Sequence, residues 1–447
     1  MEEKNKVRKQ KRMLLIQPTI YDQYHKLVKK NMLYFIGLTM PLLAAECGDE
    51  WDVEICIETI EEIPWDTDID LIGIGSMGHS IIRGIEIAKE FKKRGKTVVM
   101  GGYMASLVSE EVKQYCDTIM IGDAEGYWQD MLNDYLNDEL KPFYSKKIDK
   151  LSTPVPRYEL VTKKKIGDFL PVQAGRGCPN NCSFCSIACL YKGKYLRREI
   201  SEVVRDIKRV KELGFKKFLL IDDNILSDRK YMMDLCEEIK KLNMEWYSQC
   251  SIHLANDDEL LKCVVDSGCT CLSFGVETIT KSNLQKLNKS WEDPEEYSSL
   301  IQKLRNAGID VATEMMLGLE DDTKESIRQT AKFIIENKVE APKFYILCPV
   351  PGTEYFEEIK NSKDLVNHDI YTYSPNKATK NTPNLTAEEI DKLYWELYNE
   401  VYSIRNIFKR VIFTKKFLKY PKRELFIFGV NLFYRYHIKH GIAPIII

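Results

Sequence analysis

An α/β protein of two successive parallel sheets, closed by a helical C-terminal region, is the fold this sequence predicts. Three observations carry that expectation. Short apolar runs alternate with helical patterns over most of the chain, as strand–helix–strand units of parallel sheets do. The alternation is interrupted by a charged, proline-containing stretch, Lys147 to Lys165. After about residue 370 it gives way to basic and aromatic sequence. At 447 residues the chain exceeds one typical domain, and two to three are expected.

In the first part, Met13-Leu14-Leu15-Ile16 reads as a buried strand and Leu38 to Cys47 as a helix. Trp51 to Ile57 alternates like a strand, and Leu71 to Gly75 is a third, followed by a helix from Ser80 to Lys93. Thr97 to Met100 leads into Gly101-Gly102, and Thr118 to Ile121 into Gly122-Asp123-Ala124-Glu125. This order predicts a doubly wound sheet, with ligands at the carboxyl ends of its strands. The turns there are small. Gly75-Ser76-Met77-Gly78 and Gly101-Gly102 let a flat ligand approach the backbone, although any one of them alone is also what a tight turn needs. Around Pro154-Val155-Pro156, the linker is expected to be extended.

The second part repeats the pattern with longer elements. Phe169 to Gln173 is a short apolar run before the cysteines. Helices at 200–213, 229–242, 257–267, 294–307 and 323–336 precede strands at 218–221, 246–252, 271–277, 311–317 and 344–347. With the first run, that makes about six β/α units, which right-handed crossovers curl into a partial (β/α)6 barrel. Chemistry in such barrels sits at the carboxyl ends of the strands. Polar residues cluster there: Asp222, Asp223 and Asn224 after one strand, Glu277 after another, and Glu314 within a third. An unpaired buried carboxylate costs several kcal/mol, so these groups are expected to meet a partner or a ligand. Capping of the next helix is the competing role for Asp223 and Asn224, and likewise for Asp322 or Thr323.

Between the first two strands of this part lies Arg176-Gly177-Cys178-Pro179-Asn180-Asn181-Cys182-Ser183-Phe184-Cys185. Three thiolates at C-x3-C-x2-C suit an iron–sulfur cluster with one open iron. Zinc would want a fourth Cys or His; Cys189 is the one candidate, at an unusual spacing. The motif, with an aromatic before its last cysteine, resembles the cluster site of the radical S-adenosylmethionine (SAM) superfamily. Its context, Gly175-Arg176-Gly177-Cys178-Pro179 and then Tyr195-Leu196-Arg197-Arg198, resembles the branch with an N-terminal cobalamin-binding domain.

That resemblance covers roughly residues 10 to 360 and implies a division of the chain. Residues 1–150 would form a Rossmann-like (flavodoxin-like) cobalamin-binding domain, 151–167 a linker, 168–370 the barrel and 371–447 the helical C-terminal region. Cys178, Cys182 and Cys185 would hold a 4Fe-4S cluster that reductively cleaves SAM. Phe184, Asp222, Asn224, Glu277 and Gly318 would contact SAM. Leu317-Gly318-Leu319-Glu320-Asp321-Asp322-Thr323 and Cys348-Pro349-Val350-Pro351-Gly352-Thr353 resemble the family's turns after the fifth and sixth strands. Ser76, Gly101 and Gly102 would line cobalamin, and Gly122-Asp123-Ala124-Glu125-Gly126 resembles the segment closing that domain. The D-x-H-x-x-G motif that supplies a cobalt-ligating histidine is absent: after the first strand the chain reads Gln17-Pro18-Thr19-Ile20-Tyr21-Asp22-Gln23-Tyr24-His25. His79 is nearer the expected ligand face, where a lone loop histidine is more often solvated. A domain that has lost the cofactor stays open.

The activity implied is a cobalamin-dependent methylation of an unactivated carbon. A radical cyclase or epimerase is the second reading, with Cys250, Cys348 or Tyr345 as hydrogen-atom donors, and a non-catalytic iron–sulfur redox protein the third. The other cysteines, among them Cys263, Cys269 and Cys271, fit core packing better than a second cluster. A small-molecule or lipid-like substrate and an external electron donor of the flavodoxin or ferredoxin type follow from the resemblance.

Near-zero net charge implies no global pull toward nucleic acid, and none is expected as a partner. Thirteen cysteines in irregular spacing argue for a reducing cytoplasm. Met1-Glu2-Glu3-Lys4 is followed by no apolar core, which predicts no signal peptide, and no run reaches the ~20 apolar residues of a membrane span. In the C-terminal region, Leu385 to Arg405 is a helix opened by Thr386-Ala387-Glu388-Glu389. From Val401 onward ten Lys and Arg face a single acid, Glu424, with Phe and Tyr interleaved. That composition reads as a cap across the barrel mouth with a solvated basic side, as peripheral membrane contact, or as a partner for a greasy or anionic substrate.

Overall fold

The first sheet of the computed structural model has six parallel strands in the order β2-β1-β3-β4-β5-β6. Residues 10–22 and 24–444 are described; Met1-Glu2-Glu3-Lys4 and Gln23, on which two of the readings above fall, lie outside them. The strands are β1 Lys11–Gln17, β2 Trp51–Ile57, β3 Leu71–Gly75, β4 Thr97–Gly101, β5 Thr118–Ile121 and β6 Phe143–Ser145. Met13 to Ile16 are buried, as strands covered on both faces must be. Helix Ile81–Lys93 buries Ile81, Ile85, Ala88 and Phe91, one stripe at helical spacing. The strand order reverses beside β1, so the crevice at the carboxyl ends of β1 and β3 is the switch point where doubly wound sheets take ligands. The proline stretch carries no helix or strand over 151–157. Leu151, Tyr158 and Val161 are buried, and Gly167 N–H donates to Leu33 O at 3.0 Å, so it packs on this first unit.

The second unit begins at Phe169. Its sheet runs β7-β10-β11-β12-β13-β14, every pair parallel and every neighbour next in sequence apart from a small hairpin, β8 with β9. These strands are β7 Phe169–Gln173, β8 Gly175–Gly177, β9 Tyr195–Arg197, β10 Lys217–Ile221, β11 Glu245–Cys250, β12 Cys269–Glu277, β13 Asp310–Leu317 and β14 Ala341–Ile346. Helices 200–212, 229–240, 258–266, 297–307 and 324–336 make the crossovers. The six β/α units are those the periodicity predicts.

The C-terminal region does two things. Helix Ala387–Val401 covers the exposed edge of β14: the Tyr398 hydroxyl accepts from Phe344 N–H at 2.8 Å and donates to Phe344 O at 3.0 Å. Tyr402 donates to Pro342 O at 2.6 Å. An unpaired edge is an aggregation liability, and here tyrosines take the place of a next strand. Beyond that helix the chain packs under the sheet. Lys416 Nζ donates to Ile309 O at 2.7 Å and pairs with Asp310 and, at 3.0 Å, Glu340; Arg410 donates to Val339 O at 2.6 Å. Those partners stand at the amino ends of β13 and β14. The expected cap across the mouth is therefore corrected: this segment closes the floor, because its buried cations find their carboxylates there.

Candidate active site

The cysteines sit on a single excursion between β8 and β9, directly after β7. Gly177 opens it at φ +87°, where an added Cβ would meet Lys194 O at 2.1 Å, so only glycine fits. The loop is fastened to the turn after β10 and to the segments that follow β12 and β14. Gly177 N–H donates to Asp223 at 2.6 Å, Ser183 N–H to Leu287 O at 3.2 Å, and Tyr355 N–H to Ser183 O at 2.9 Å. Phe184 packs against the buried group Leu287, Leu319, Leu347 and Tyr355, which gathers the turns after β12, β13 and β14.

Burial raises the pKa of all three thiols, that of Cys182 to about 12. They become ligating thiolates only when a cation shares the site. Asn224 Nδ2 donates to Cys178 Sγ at 3.9 Å, and the Lys289 charge acts on Cys182. Among the described residues, the one group of three or more such ligands lying within 4.8 Å of one another is Asp310, Glu340 and Glu424. Cys178, Cys182 and Cys185 do not converge that closely, so no zinc-sized sulfur cage is preformed. Cys189 does not complete one, since its Sγ is 3.0 Å from Gly352 O.

A polar band crosses the carboxyl ends of β10, β11 and β12. Asp222 is buried, accepts from the Tyr195 hydroxyl at 2.7 Å and from Asn224 N–H at 2.9 Å, and has its pKa lifted to about 7 by burial. Asn224 Oδ1 accepts from Ser251 N–H at 3.3 Å, and Ser251 Oγ donates to Glu292 at 3.3 Å. Glu292 stands 3.9 Å from Lys289 Nζ, which is 3.2 Å from Glu277. Neither Asp223 nor Asn224 caps the following helix, as the competing reading had it; Asp228 does, accepting from Tyr231 N–H at 2.9 Å. After β13, Thr323 is the cap, while Asp322 turns back to accept from Leu319 N–H and Asn283 Nδ2, each at 3.1 Å.

Glu277 holds φ at +59°, an uncommon conformation for a residue with a side chain, just where the register of β12 against β13 shifts. Its carboxyl pKa is raised by burial, which the Lys289 ammonium opposes. Lys289 and Glu292 were missing from the strand-end pattern because they lie on a loop, where no periodicity marks them. Gly318 ends β13 at φ +78°. Glu314 accepts from Ser273 Oγ at 3.1 Å. Cys250 is buried in the core.

In the first unit, Ser76 follows β3, while Gly101 ends β4 and Gly102 follows it. Ser76 N–H donates to Gly101 O at 2.9 Å, and Gly102, at φ +97°, lies so close that a Cβ would meet Ser76 O at 2.2 Å. The Ser76 hydroxyl is buried without a hydrogen-bond partner. His79, expected to be solvated, is half-buried, and burial lowers its pKa to about 4.

Comparison with known proteins adds the family. The Radical SAM superfamily pattern matches residues 172–334, which contain the three cysteines. Bacteriochlorophyllide d C-8(2)-methyltransferase of Chlorobaculum tepidum is 31% identical over 360 residues, covering 76% of this chain and 80% of that protein. The chain belongs to the radical SAM superfamily. It is thereby a radical SAM enzyme, of a family that uses a 4Fe-4S cluster and SAM. Bacteriochlorophyllide d C-12(1)-methyltransferase of the same organism is 29% identical, covering 90% of this chain and 89% of its own length. The fold is shared with TsrM from Kitasatospora setae, a radical SAM methyltransferase solved with cobalamin and a 4Fe-4S cluster bound. That likeness has a TM-score of 0.67 at 14% identity and covers 94% of this chain and 99% of TsrM. The cobalamin-dependent radical SAM enzyme OxsB also shares it, with a TM-score of 0.67 at 12% identity over 95% of this chain and 72% of OxsB.

Proposed function

We propose that this radical SAM enzyme is a cobalamin-dependent C-methyltransferase acting on an unactivated carbon of a small-molecule or lipid-like substrate. The observation that carries the reading is that two relatives named methyltransferases match along both sheets, not along the barrel alone. That favours methylation over the cyclase or epimerase reading. The residues suit the groups this reading needs. Cys178, Cys182 and Cys185 form a fastened, half-buried thiol set open to a cluster larger than one ion. Near the switch point, Ser76 and Gly101-Gly102 keep the backbone bare for a close approach, and the Ser76 hydroxyl, buried against Gly84 without a hydrogen-bond partner, is an unspent polar group. Bound at these places, the cluster and cobalamin would supply one-electron cleavage of SAM and a methyl carrier.

The chain's own residues do the positioning. Asn224 places a donor at the Cys178 sulfur, a contact that would tune the potential of a cluster held there. Glu277, held near Lys289, presents a carboxylate to the amino or ribose groups of SAM. The backbone at Gly318, in the turn after β13, would meet its adenine, and Phe184 would be a further SAM contact. Asp222, kept partly protonated near neutrality, holds Tyr195 and so the base of the cysteine loop. In this reading residues 1–150 are the cobalamin module, 151–167 the linker, 168–370 the barrel and 371–447 the C-terminal region. An external flavodoxin- or ferredoxin-type donor supplies electrons in the cytoplasm, and the C-terminal region makes peripheral membrane contact.

Anaerobic purification, cluster reconstitution and addition of reductant and SAM test it. Formation of 5′-deoxyadenosine is expected, together with the visible absorption of retained cobalamin. If the cluster forms but no 5′-deoxyadenosine appears, radical chemistry is ruled out. If cobalamin is not retained, the methyltransferase assignment fails while the radical one stands.

A further inference from the structure

The C-terminal region carries a surface that none of the chemistry above uses. Of fourteen large apolar side chains exposed among the described residues, seven fall between Ile404 and Tyr436. They are not scattered. Helix Pro421–Lys439 buries Glu424, Ile427, Asn431, Tyr434 and Ile438 along one stripe against the floor of the barrel. Leu425, Phe426, Leu432 and Tyr436 stand on its outer side in water, and Phe413 and Leu418, 70% and 82% exposed, continue the patch. Single exposed apolar residues need no explanation, but a run of them along one helix marks an interaction surface.

Charge selects the partner. The one acid of the segment, Glu424, is buried 3.7 Å from Lys416, so it contributes nothing outward. Lys415, Lys419, Lys422 and Lys439 are exposed. The outer face is therefore apolar and positive only, on a chain whose formal net charge is -2. A second copy would bring lysines against lysines, which repel. A nucleic acid would satisfy the lysines and leave Leu418 and Phe426 against phosphates. An anionic bilayer satisfies both, with acyl chains for the crest and headgroups for the cations.

We propose that the outer face of helix Pro421–Lys439, together with residues 413–419, docks this protein on anionic lipid bilayers. Phe413, Leu418, Leu425 and Phe426 enter the acyl boundary, and Lys415, Lys419 and Lys422 meet lipid phosphates. This rests on the peripheral-membrane reading above and goes past it by fixing the face and the headgroup charge.

Co-sedimentation of the full-length protein with vesicles tests it, comparing phosphatidylcholine alone with an equimolar mixture of phosphatidylcholine and phosphatidylglycerol. Binding to the mixture is expected to be stronger by about tenfold or more and to weaken with salt. The double variant Leu418→Glu/Phe426→Glu, whose changed side chains are solvent-exposed, is expected to lose about tenfold in binding with its circular dichroism unaltered. The variant Lys415→Gln/Lys419→Gln/Lys422→Gln is expected to lose the preference for the anionic vesicles. Equal binding of the parent protein to both vesicles would overturn the anionic assignment and leave peripheral contact standing. No binding to either would overturn both. A dimer in sedimentation velocity that Leu418→Glu/Phe426→Glu abolishes would assign the face to a second copy instead.

Discussion

Cys178, Cys182 and Cys185 differ from the other ten cysteines by what surrounds them rather than by exposure alone. Cys182 shares its surroundings with Lys289 and Glu277, and Cys178 receives Asn224, whereas Cys189 is engaged with Gly352. Cys182→Ala is expected to abolish the broad visible absorption of the reconstituted cluster, and Cys189→Ala to leave it intact; iron per chain, measured in parallel, checks both. Asp322 gives a pH prediction. Its pKa is raised from the usual carboxylate range to about 7, chiefly by burial. Below about pH 4 folded and unfolded chains both hold the proton. Between about pH 4 and about pH 7 only the folded chain does, so stability falls as pH rises through that window and then levels off. The full effect is about 4 kcal/mol. Asp322→Asn removes this slope, and urea midpoints taken across the window should be flatter in the variant than in the parent.

Among elements, the helix Ala387–Val401 has the least ordinary task. Its N-terminus is fixed by Thr386, whose hydroxyl accepts from Glu389 N–H at 3.2 Å while the Glu389 carboxylate returns to Thr386 N–H at 3.0 Å. Its far half seals β14 through Tyr398 and Tyr402, both fully buried. Tyr398→Phe keeps the ring against Phe344 but strands the N–H and C=O of that residue. The expected loss is about 1–3 kcal/mol, the usual cost of unsatisfied buried polar groups, read from the urea unfolding transition. Aggregation on heating should rise as well, since the edge is no longer paired.

For the whole molecule, the floor cluster decides whether the C-terminal region and the barrel behave as one body. Lys416 is buried among Asp310, Glu340 and Glu424. Burial alone would lower its pKa, and the surrounding carboxylates raise it instead. The three carboxylates lie close enough to hold a cation; this ammonium is the one they share, while Arg305 also pairs with Glu340 and Arg423, at 3.2 Å, with Asp310. Lys416→Met leaves Glu424 without its cation and Glu340 and Asp310 with only Arg305 and Arg423, and is expected to destabilise the second unit by about 3–5 kcal/mol, seen as a lower thermal midpoint. The cysteine loop tells the opposite story. It is held by hydrogen bonds to Asp223, Leu287 and Tyr355, in the segments after β10, β12 and β14, so removing the cluster with a chelator should leave far-UV circular dichroism unchanged.

What the sequence determined by itself was periodic or chemical. Strand and helix periods are local, so five of the six strands of the first sheet and the six β/α units of the second could be read within a residue or two at most ends; the three-residue strand Phe143–Ser145 and the β8–β9 hairpin are too short to show a period. The thiol spacing is likewise local, and Glu277 was legible because a carboxylate at the end of an apolar strand has no core explanation. Tertiary structure decided whatever depends on partners distant in sequence. Lys289 and Glu292 matter because their loop folds back beside Cys182 and Ser251. Asp223 and Asn224 look like helix caps until Gly177 and Cys178 are seen to claim them. Ten cations against one acid predicted a solvated basic side. Burial of Arg410 and Lys416 followed from carbonyls and carboxylates more than 70 residues away in the chain. Charge counts carry no information on which ions will be buried, because pairing is a property of geometry.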